Sequence, residues 1–153
     1  MIRPLRRDEA PWAARQHAEL MRGSAFAEIG TGFLECFYER FAASPHAIAR
    51  VWEDGGRAAA VIAAVADRAA FLRGLVLRHG ARLALHAARA LLRPGGLRLL
   101  ARLRGYLGRA GDAPIVAEMI FFTVAPEVRQ RGVAHDLIRA VLEEYARRGT
   151  ARV

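Results

Sequence analysis

The amino-acid sequence predicts a single α/β (α+β) domain in which strands are flanked by helices. Two runs rich in Val, Ile and Ala surround Asp54-Gly55-Gly56, a tripeptide typical of a tight hairpin turn. The strongly apolar run 115–124 predicts a further long strand, and amphipathic patterns before and after it predict helices. With 153 residues, 54% of them hydrophobic, the chain can bury a core without disulfides or a structural metal.

The N-terminal third predicts a strand and two helices. Residues 2–5 form the strand, and Asp8 is the expected cap of the first helix. The second helix carries its aromatic residues on one face and ends at Ser44-Pro45. That face consists of Phe33, Leu34, Phe37, Tyr38 and Phe41. Cys36 lies beside this face, and we interpret it as a small core residue rather than a reactive thiol.

The middle of the chain predicts a hairpin followed by two amphipathic helices. Residues 47–53 and 57–66 are the expected antiparallel strands of the hairpin. Leucine pairs and arginines then recur through residues 67–111, with a break between the two helices at Pro94-Gly95-Gly96. We therefore treat residues 68–110 as a basic helical insertion before the strongly apolar strand.

The last part of the chain predicts a central strand followed by a long helix. Residues 115–124 hold a single charge, that of Glu118, which is typical of a strand buried within a sheet. The helix is expected to begin near Gly132 and to end at Gly149 as its C-cap. The residues expected on its buried face are Leu137, Ile138, Val141, Leu142 and Tyr145. Residues 150–153 are expected to start another strand.

Positive charge is concentrated in one part of the chain. All 24 basic residues are arginine and 15 residues are acidic, which gives a formal net charge of +9. Abundant arginine and alanine together indicate GC-rich coding, so the high pI alone does not indicate a nucleic-acid partner. Ten arginines lie within residues 68–109, a stretch without Asp or Glu. Three interpretations of this block remain open: a structural lid with solvated arginines, recognition of an acidic substrate, or contact with an anionic membrane or nucleic acid.

The sequence contains no targeting or metal-binding pattern. Charged residues occupy the N-terminus, where a secretory signal needs an apolar run, and no uncharged stretch approaches the roughly 18 residues of a membrane span. A single cysteine excludes a disulfide framework and a Cys-rich zinc site and is typical of a reducing, cytoplasmic setting. The histidines lack paired metal-ligand spacing, and His79 and His86 are expected at the surface or at an interface. We therefore expect a cytoplasmic protein without a metal.

The segment between the apolar strand and the last helix has the features of an anion site. Its sequence is V-x-P-x-x-R-x-x-G-x-A over residues 124–134. A helix N-terminus presents free backbone N–H groups and a partial positive charge, and Gly132 and Ala134 are small enough for a phosphate to approach the backbone. Arg129 and Arg131 add positive charge. The alternative interpretation is an ordinary strand-to-helix turn with solvated arginines.

This segment resembles motif A of the GNAT superfamily of N-acetyltransferases, and the order of strands and helices along the chain is similar to that of the family. The resemblance implies a mixed, mostly antiparallel central sheet flanked by helices, with acetyl-CoA as co-substrate. It also implies that backbone amides of the motif bind the pyrophosphate and that the end of the preceding strand binds the pantetheine arm. The implied pyrophosphate residues are Arg129, Gln130, Arg131, Gly132, Val133 and Ala134, and the implied pantetheine residues are Phe122, Thr123 and Val124. P-loop and dinucleotide-binding fingerprints do not occur in the sequence.

Glu118 is the candidate general base. Burial in an apolar strand would raise the pKa of its carboxyl toward neutrality. In histone-type acetyltransferases of this superfamily the base glutamate lies on the same strand, eleven residues before the first position of the motif, and Glu118 precedes Arg129 by eleven residues. The base would take a proton from the acceptor ammonium so that the free amine attacks the thioester. The alternative is a structural glutamate that pairs with an arginine.

The resemblance covers about the first two thirds of a GNAT domain, so we expect residues 1–153 to lack its C-terminal strand-helix-strand portion. That portion often carries the tyrosine that protonates the CoA thiolate, and Tyr145, on the motif helix, is not assigned this role. A second copy or a partner chain would then complete the sheet. The predicted function is N-acetylation of a primary amine on a small molecule or peptide. The alternatives are a non-catalytic remnant of the CoA-binding fold and a basic module that binds an anionic membrane or nucleic acid.

Overall fold

The computed structural model describes residues 1–108 and 118–149. Its strands are β1 (Ile2–Pro4), β2 (Ala47–Asp54), β3 (Arg57–Val65) and β4 (Glu118–Val124). Its α-helices are α1 (Ala10–Leu20), α2 (Ala25–Ile29), α3 (Thr31–Ala43), α4 (Arg68–Leu91), α5 (Gly96–Gly108) and α6 (Val133–Arg147), and Arg7–Glu9 and Pro126–Val128 form short 3₁₀ helices. The four strands make one antiparallel sheet in the order β1-β2-β3-β4. This arrangement confirms the predicted α/β class.

The hairpin of β2 and β3 forms where the sequence predicts it. Gly55 and Gly56 have φ angles of 56° and 79°, the left-handed conformation that a tight turn requires and that glycine adopts at little cost. Ala47 pairs with Val65 at one end of the hairpin, and Asp54 pairs with Arg57 at the turn. The hairpin supplies the two inner strands of the described sheet.

β3 is buried on both of its faces, since each residue from Ala60 to Val65 is at most 1% exposed. On one face, Val61 and Ala63 share a hydrophobic cluster with residues of α1, α3 and α4. On the other face, Ile62 and Ala64 share a second cluster with residues of α6. A sheet buried on both faces needs a helical layer on each side.

The aromatic face of α3 fills the first cluster as predicted. Tyr38 is fully buried and Phe41 is 2% exposed, and the rings of Phe41 and Phe121 on β4 have centroids 6.1 Å apart. The helix ends at Ser44, as the sequence predicts. Cys36 is fully buried, its Sγ donates to the Gly32 carbonyl at 3.4 Å, and burial raises the pKa of the thiol. The interpretation of Cys36 as a core residue is confirmed.

α6 packs across the second face of the sheet. Leu137, Val141 and Tyr145 are at most 1% exposed, and the Tyr145 hydroxyl donates to the Val65 carbonyl at 2.9 Å. The prediction for Leu142 is wrong, because this side chain lies beyond the edge of the contact and is 44% exposed. Gly149 follows the helix with a φ of 70°, as expected of a residue that terminates it.

The start of α1 differs from the sequence prediction. Asp8 does not cap α1, because it lies within the 3₁₀ helix Arg7–Glu9 and α1 begins at Ala10 without a side-chain cap. Glu9 has the stabilising role instead. Its carboxylate accepts from Nη1 and Nη2 of Arg3 at 2.8 and 2.7 Å, which holds the turn against β1. The guanidinium of Arg3 also keeps the pKa of the Glu9 carboxyl below its usual value.

The predicted basic helices are confirmed as α4 and α5, with the break at Pro94-Gly95-Gly96 between them. Asp67 caps α4, since its Oδ1 accepts from the Ala70 N–H at 2.9 Å. α4 packs against α3 through Phe71 and Leu75, which belong to the first cluster. Residues 109–117, which include the first part of the predicted strand 115–124, and the predicted strand 150–153 lie outside the described residues.

Two histidines are buried in the helical layer. His79 is expected at the surface or an interface but is 6% exposed, with Nδ1 3.7 Å from the Glu39 carboxylate, because α4 turns it toward α3. His17 is fully buried, 3.4 Å from the hydroxyls of Tyr38 and Ser24, with its ring centroid 4.0 Å from that of Phe121. Burial lowers the pKa of His17 to about 4.

The free energy of unfolding should therefore decrease as the pH is lowered from about 6.5 to about 4, because of His17. Below about pH 6.5 the unfolded chain protonates this histidine, whereas the folded chain keeps it neutral down to about pH 4, so acid favours unfolding. In His17→Gln, the fall of the unfolding free energy between these values should be shallower by up to about 1.4 kcal/mol per pH unit. Urea unfolding at several pH values measures this. His135→Gln, at an exposed site, is the control, and a wild-type slope in His17→Gln would contradict the account.

Candidate functional site

The connection from β4 to α6 is a compact turn with two left-handed residues. After the 3₁₀ helix Pro126–Val128 the chain extends at Arg129, and Gln130 and Gly132 have φ angles of 64° and 74°. Gln130 is the only non-glycine residue with a positive φ among the described residues. Gly132 is the N-cap of α6, so a left-handed residue stands directly before the first turn of this helix.

The first turn of α6 presents free backbone donors. Asp136 donates its N–H to the Gly132 carbonyl at 3.1 Å, which is the first bond of the helix, so the N–H groups of Val133, Ala134 and His135 have no intrahelical acceptor. No side chain caps this end. A Cβ placed on Gly132 would meet no atom of the described residues within 4 Å, so there is open space beside the N-cap residue. Free donors, the helix dipole and open space together fit an anion such as a phosphate.

The side chains of the predicted pyrophosphate residues point to other partners. Nη1 and Nη2 of Arg131 donate to the Asp54 carboxylate at 2.7 and 3.1 Å, and this guanidinium lowers the pKa of Asp54. Nε of Arg129 donates to the Val124 carbonyl at 3.2 Å. Val133 is 2% exposed and packs in the second cluster. Both arginines thus stabilise the turn. Because their guanidinium groups have these partners, an anion would be bound mainly by backbone N–H groups.

Asp54 is a residue of the candidate site that no pattern in the sequence predicts. It belongs to the β2–β3 turn, 77 positions before Arg131, and the pairing exists only because the hairpin tip lies beside the β4–α6 turn. Its sequence context, Asp-Gly-Gly, indicates only a hairpin turn. No local signal in the sequence could have identified this contact.

The end of β4 offers backbone groups along an edge that no other strand of the described residues covers. Among the described residues β4 pairs with β3 alone, although the sequence predicts a central strand. The Ala125 N–H donates to the Ala59 carbonyl at 2.9 Å, so Thr123, two positions earlier, also directs its backbone groups toward β3. Phe122 and Val124 therefore direct theirs to the opposite edge, where the Val124 carbonyl already accepts from Nε of Arg129. An extended chain lying along this edge meets them next to the helix terminus.

Glu118 lies at the opposite end of β4 from the turn. Six residue steps separate it from Val124, which corresponds to about 20 Å in an extended strand. Its backbone is in register with Val65, and Met119 with Ala64, whereas Phe121 pairs with Ala63. One residue of β4 is therefore extra at this point, which is a β-bulge of the kind that redirects a strand near functional sites. The candidate anion site and the candidate base lie at the two ends of one strand.

The outer sides of α4 and α5 form a second surface with a distinct character. Leu77, Leu92 and Leu97 are 82%, 88% and 84% exposed. Exposed arginines of the same stretch of chain include Arg73, Arg78, Arg89, Arg93 and Arg98. We call these eight residues the α4–α5 surface. None of the helices in the described part of the chain is both long and apolar enough to span a membrane.

Comparison with known proteins identifies the family. The sequence model of the acetyltransferase (GNAT) family matches residues 12–153, a range that includes β2, β3 and β4, the β4–α6 turn, most of α1 and all the later helices. No curated protein and no solved structure matches the chain. The match covers far more than half of the sequence. The chain therefore belongs to the acetyltransferase (GNAT) family.

Proposed function

We propose that the protein transfers an acetyl group from acetyl-CoA to a primary amine carried by a small molecule or a peptide. Membership of the acetyltransferase family supports acetyl transfer in general. The observation that carries the proposal is that, among the described residues, the N-terminal turn of α6 has no capping partner and β4 has no second neighbouring strand. This arrangement offers separate positions for a diphosphate and for an extended arm.

The residues of the turn would hold the co-substrate by its phosphates. The N–H groups of Val133, Ala134 and His135 would donate to the pyrophosphate, with the helix dipole adding to the attraction. Phe122 and Val124 would hydrogen-bond the pantetheine arm along the free edge of β4. Acetyl-CoA supplies an activated thioester. Because its phosphates lie at the Val124 end, the arm directs the thioester toward the Glu118 end of the strand.

Glu118 would act as the general base at that end. Its carboxylate would accept a proton from the acceptor ammonium, so that the nitrogen has a free electron pair. The new bond forms between this nitrogen and the acetyl carbon, and the carbon–sulfur bond breaks with its electron pair left on sulfur. The nitrogen gives its second proton to solvent, and the thiolate takes one from solvent. The competing role for Glu118 is a structural ion pair with an arginine.

The phosphate site can be tested at Gly132. Gly132→Glu places a carboxylate beside the free donors, so repulsion should weaken acetyl-CoA binding by more than about tenfold, or about 1.4 kcal/mol. Isothermal titration calorimetry of acetyl-CoA into the full chain measures this. Gly149→Glu is the matched control, because Gly149 also has a positive φ and open space but lies at the other end of α6. Unchanged affinity in Gly132→Glu would contradict the assignment.

The role of Glu118 can be tested by its pH dependence. Glu118→Gln should lower kcat/KM by about 10²–10⁴-fold and remove the rise of the rate with pH that a general base gives. The affinity for acetyl-CoA should not change, since Glu118 lies at the far end of β4 from the phosphate site. Glu143→Gln, at an exposed position of α6, serves as the control. A wild-type pH–rate profile in Glu118→Gln would remove Glu118 from the mechanism.

A second candidate function is association with an anionic membrane through the α4–α5 surface. Exposed arginines attract anionic headgroups, and residues 68–108 contain no acidic residue to oppose them. Leu77, Leu92 and Leu97 would insert at the boundary of the acyl chains. These leucines favour a membrane over nucleic acid, because contact with phosphates alone requires only the arginines.

Vesicle sedimentation tests this second function. The chain should bind phosphatidylserine vesicles in low salt and be released by high salt, and it should bind phosphatidylcholine vesicles at least about tenfold more weakly. Leu77→Glu with Leu92→Glu should abolish binding, whereas Leu142→Glu, at an exposed leucine of α6, should not. Salt-independent binding would contradict the proposal. Binding of duplex DNA that the leucine variants leave unchanged would point to nucleic acid instead.

A further inference from the structure

A cavity of about 260 Å³ lies between α2 and α3 on one side and α4 and α5 on the other. Phe26 and Phe33 contribute to one wall, and Phe71 and Leu75 to the opposite wall. Val76, which is 60% exposed, also lines the cavity, so the cavity reaches the surface. Eleven of the twelve described residues that line it are apolar.

The size and lining of this cavity fit a small apolar group. An apolar cavity of about 150 Å³ accommodates benzene, so this one has room for an aromatic ring with a short linker or for an alkyl chain of similar volume. The walls already contain stacked and tilted rings, with the centroids of Phe33 and Phe37 5.2 Å apart and those of Phe26 and Phe37 5.5 Å apart. A further ring would find faces and edges to contact.

One layer of aromatic rings separates the cavity from β4. The ring of Phe26 meets that of Phe121 on β4 edge to face, with the centroids 6.3 Å apart. Phe37 packs against Phe26 and Phe71, and it too lines the cavity. The cavity therefore adjoins the sheet face opposite to α6, whereas the anion site lies at the N-terminus of α6.

The position of Arg68 relates the cavity to the Glu118 end of β4. Arg68 is the one charged residue among the described residues that line the cavity, and it begins α4. It follows Val65 by three positions, and Val65 is in register with Glu118. Three residue steps span at most about 11 Å, so the Arg68 part of the cavity lining lies within that backbone distance of the residue that pairs with Glu118. Burial of a second cation in this lining would be costly, because the apolar walls cannot replace its hydration.

We propose that this cavity binds the apolar part of the amine acceptor, so that the protein acts on amines with one aromatic ring or an alkyl group of similar size. The proposal rests on the proposed acetyl transfer and names the substrate class of that site. The apolar group enters between the phenylalanines while the amine stays at the edge of β4. Polycationic amines are poor acceptors, because their second charge would enter the apolar lining.

Variants of α4 test the cavity directly by binding. Ala87 lines the cavity and Ala84, one turn earlier on the same helix, is exposed. Isothermal titration of phenethylamine into the wild-type chain should show binding that Ala87→Phe weakens at least about tenfold and Ala84→Phe leaves unchanged. Putrescine should bind the wild-type chain at least about tenfold more weakly than phenethylamine. Equal affinity of phenethylamine for the wild type and Ala87→Phe, or no binding to the wild type, would overturn the proposal.

A second variant tests the cavity even if Ala87→Phe does not fold. Phe33→Ala enlarges the cavity and should raise the relative affinity for naphthylmethylamine over phenethylamine, whereas an unchanged ratio would overturn the proposal. Binding of octanoyl-CoA tests whether the cavity holds a long acyl chain instead of the amine acceptor. If Ala87→Phe weakens octanoyl-CoA binding but not phenethylamine binding, the cavity holds the acyl group and the proposal is wrong.

The two proposals can fail separately. Acetyl-CoA binding without selective binding of phenethylamine would overturn the cavity assignment and leave the proposed acetyl transfer intact. Phenethylamine binding that Ala87→Phe weakens, in a chain that does not bind acetyl-CoA, would support the cavity as a ligand site and overturn the proposed acetyl transfer.

Discussion

β3 is buried on both of its faces, and this burial determines where the helices lie. The residues from Ala60 to Val65 are all apolar, so both faces of the strand must be shielded from water. Helices therefore cover both faces. α6 is the helix that covers the face of Ile62 and Ala64, and the short turn from β4 brings it there. Its N-terminus is therefore fixed beside the end of β4. The position of the proposed anion site follows from the packing of α6 against the core.

The side chains around this site mainly hold the backbone in place. Arg131 connects the turn to Asp54 at the tip of the hairpin, Arg129 returns to the Val124 carbonyl, and Val133 is buried under the helix. Gly132 leaves room where any other residue would place a Cβ. Recognition of a diphosphate by such a site depends on the direction of N–H groups and on open space. In the proposed binding of a diphosphate, the residues with positive φ angles, Gln130 and Gly132, are therefore the ones whose backbone conformation matters most.

Local patterns in the sequence predict most elements of the fold. Asp54-Gly55-Gly56 predicts the hairpin, and the aromatic period of α3 and the apolar period of α6 predict their buried faces, because each depends on residues near in sequence. Asp8 and His79 are mispredicted because tertiary contacts decide them, through Arg3 holding Glu9 and through the packing of α4 on α3. The motif predicts an anion site, but the Arg131–Asp54 pair and the aromatic cavity arise only when distant segments meet.

The central claim is that the backbone at the start of α6 binds the pyrophosphate of acetyl-CoA. Titration of the ¹⁵N-labelled chain with acetyl-CoA, followed by two-dimensional amide NMR spectra, tests this claim most directly. The account predicts that the amide resonances of Gly132, Val133 and Ala134 shift most, while those of the last turn of α6, at Ala146 and Arg147, stay in place. Saturation with acetyl-CoA that leaves the amide resonances of Gly132 to Ala134 unmoved would contradict it.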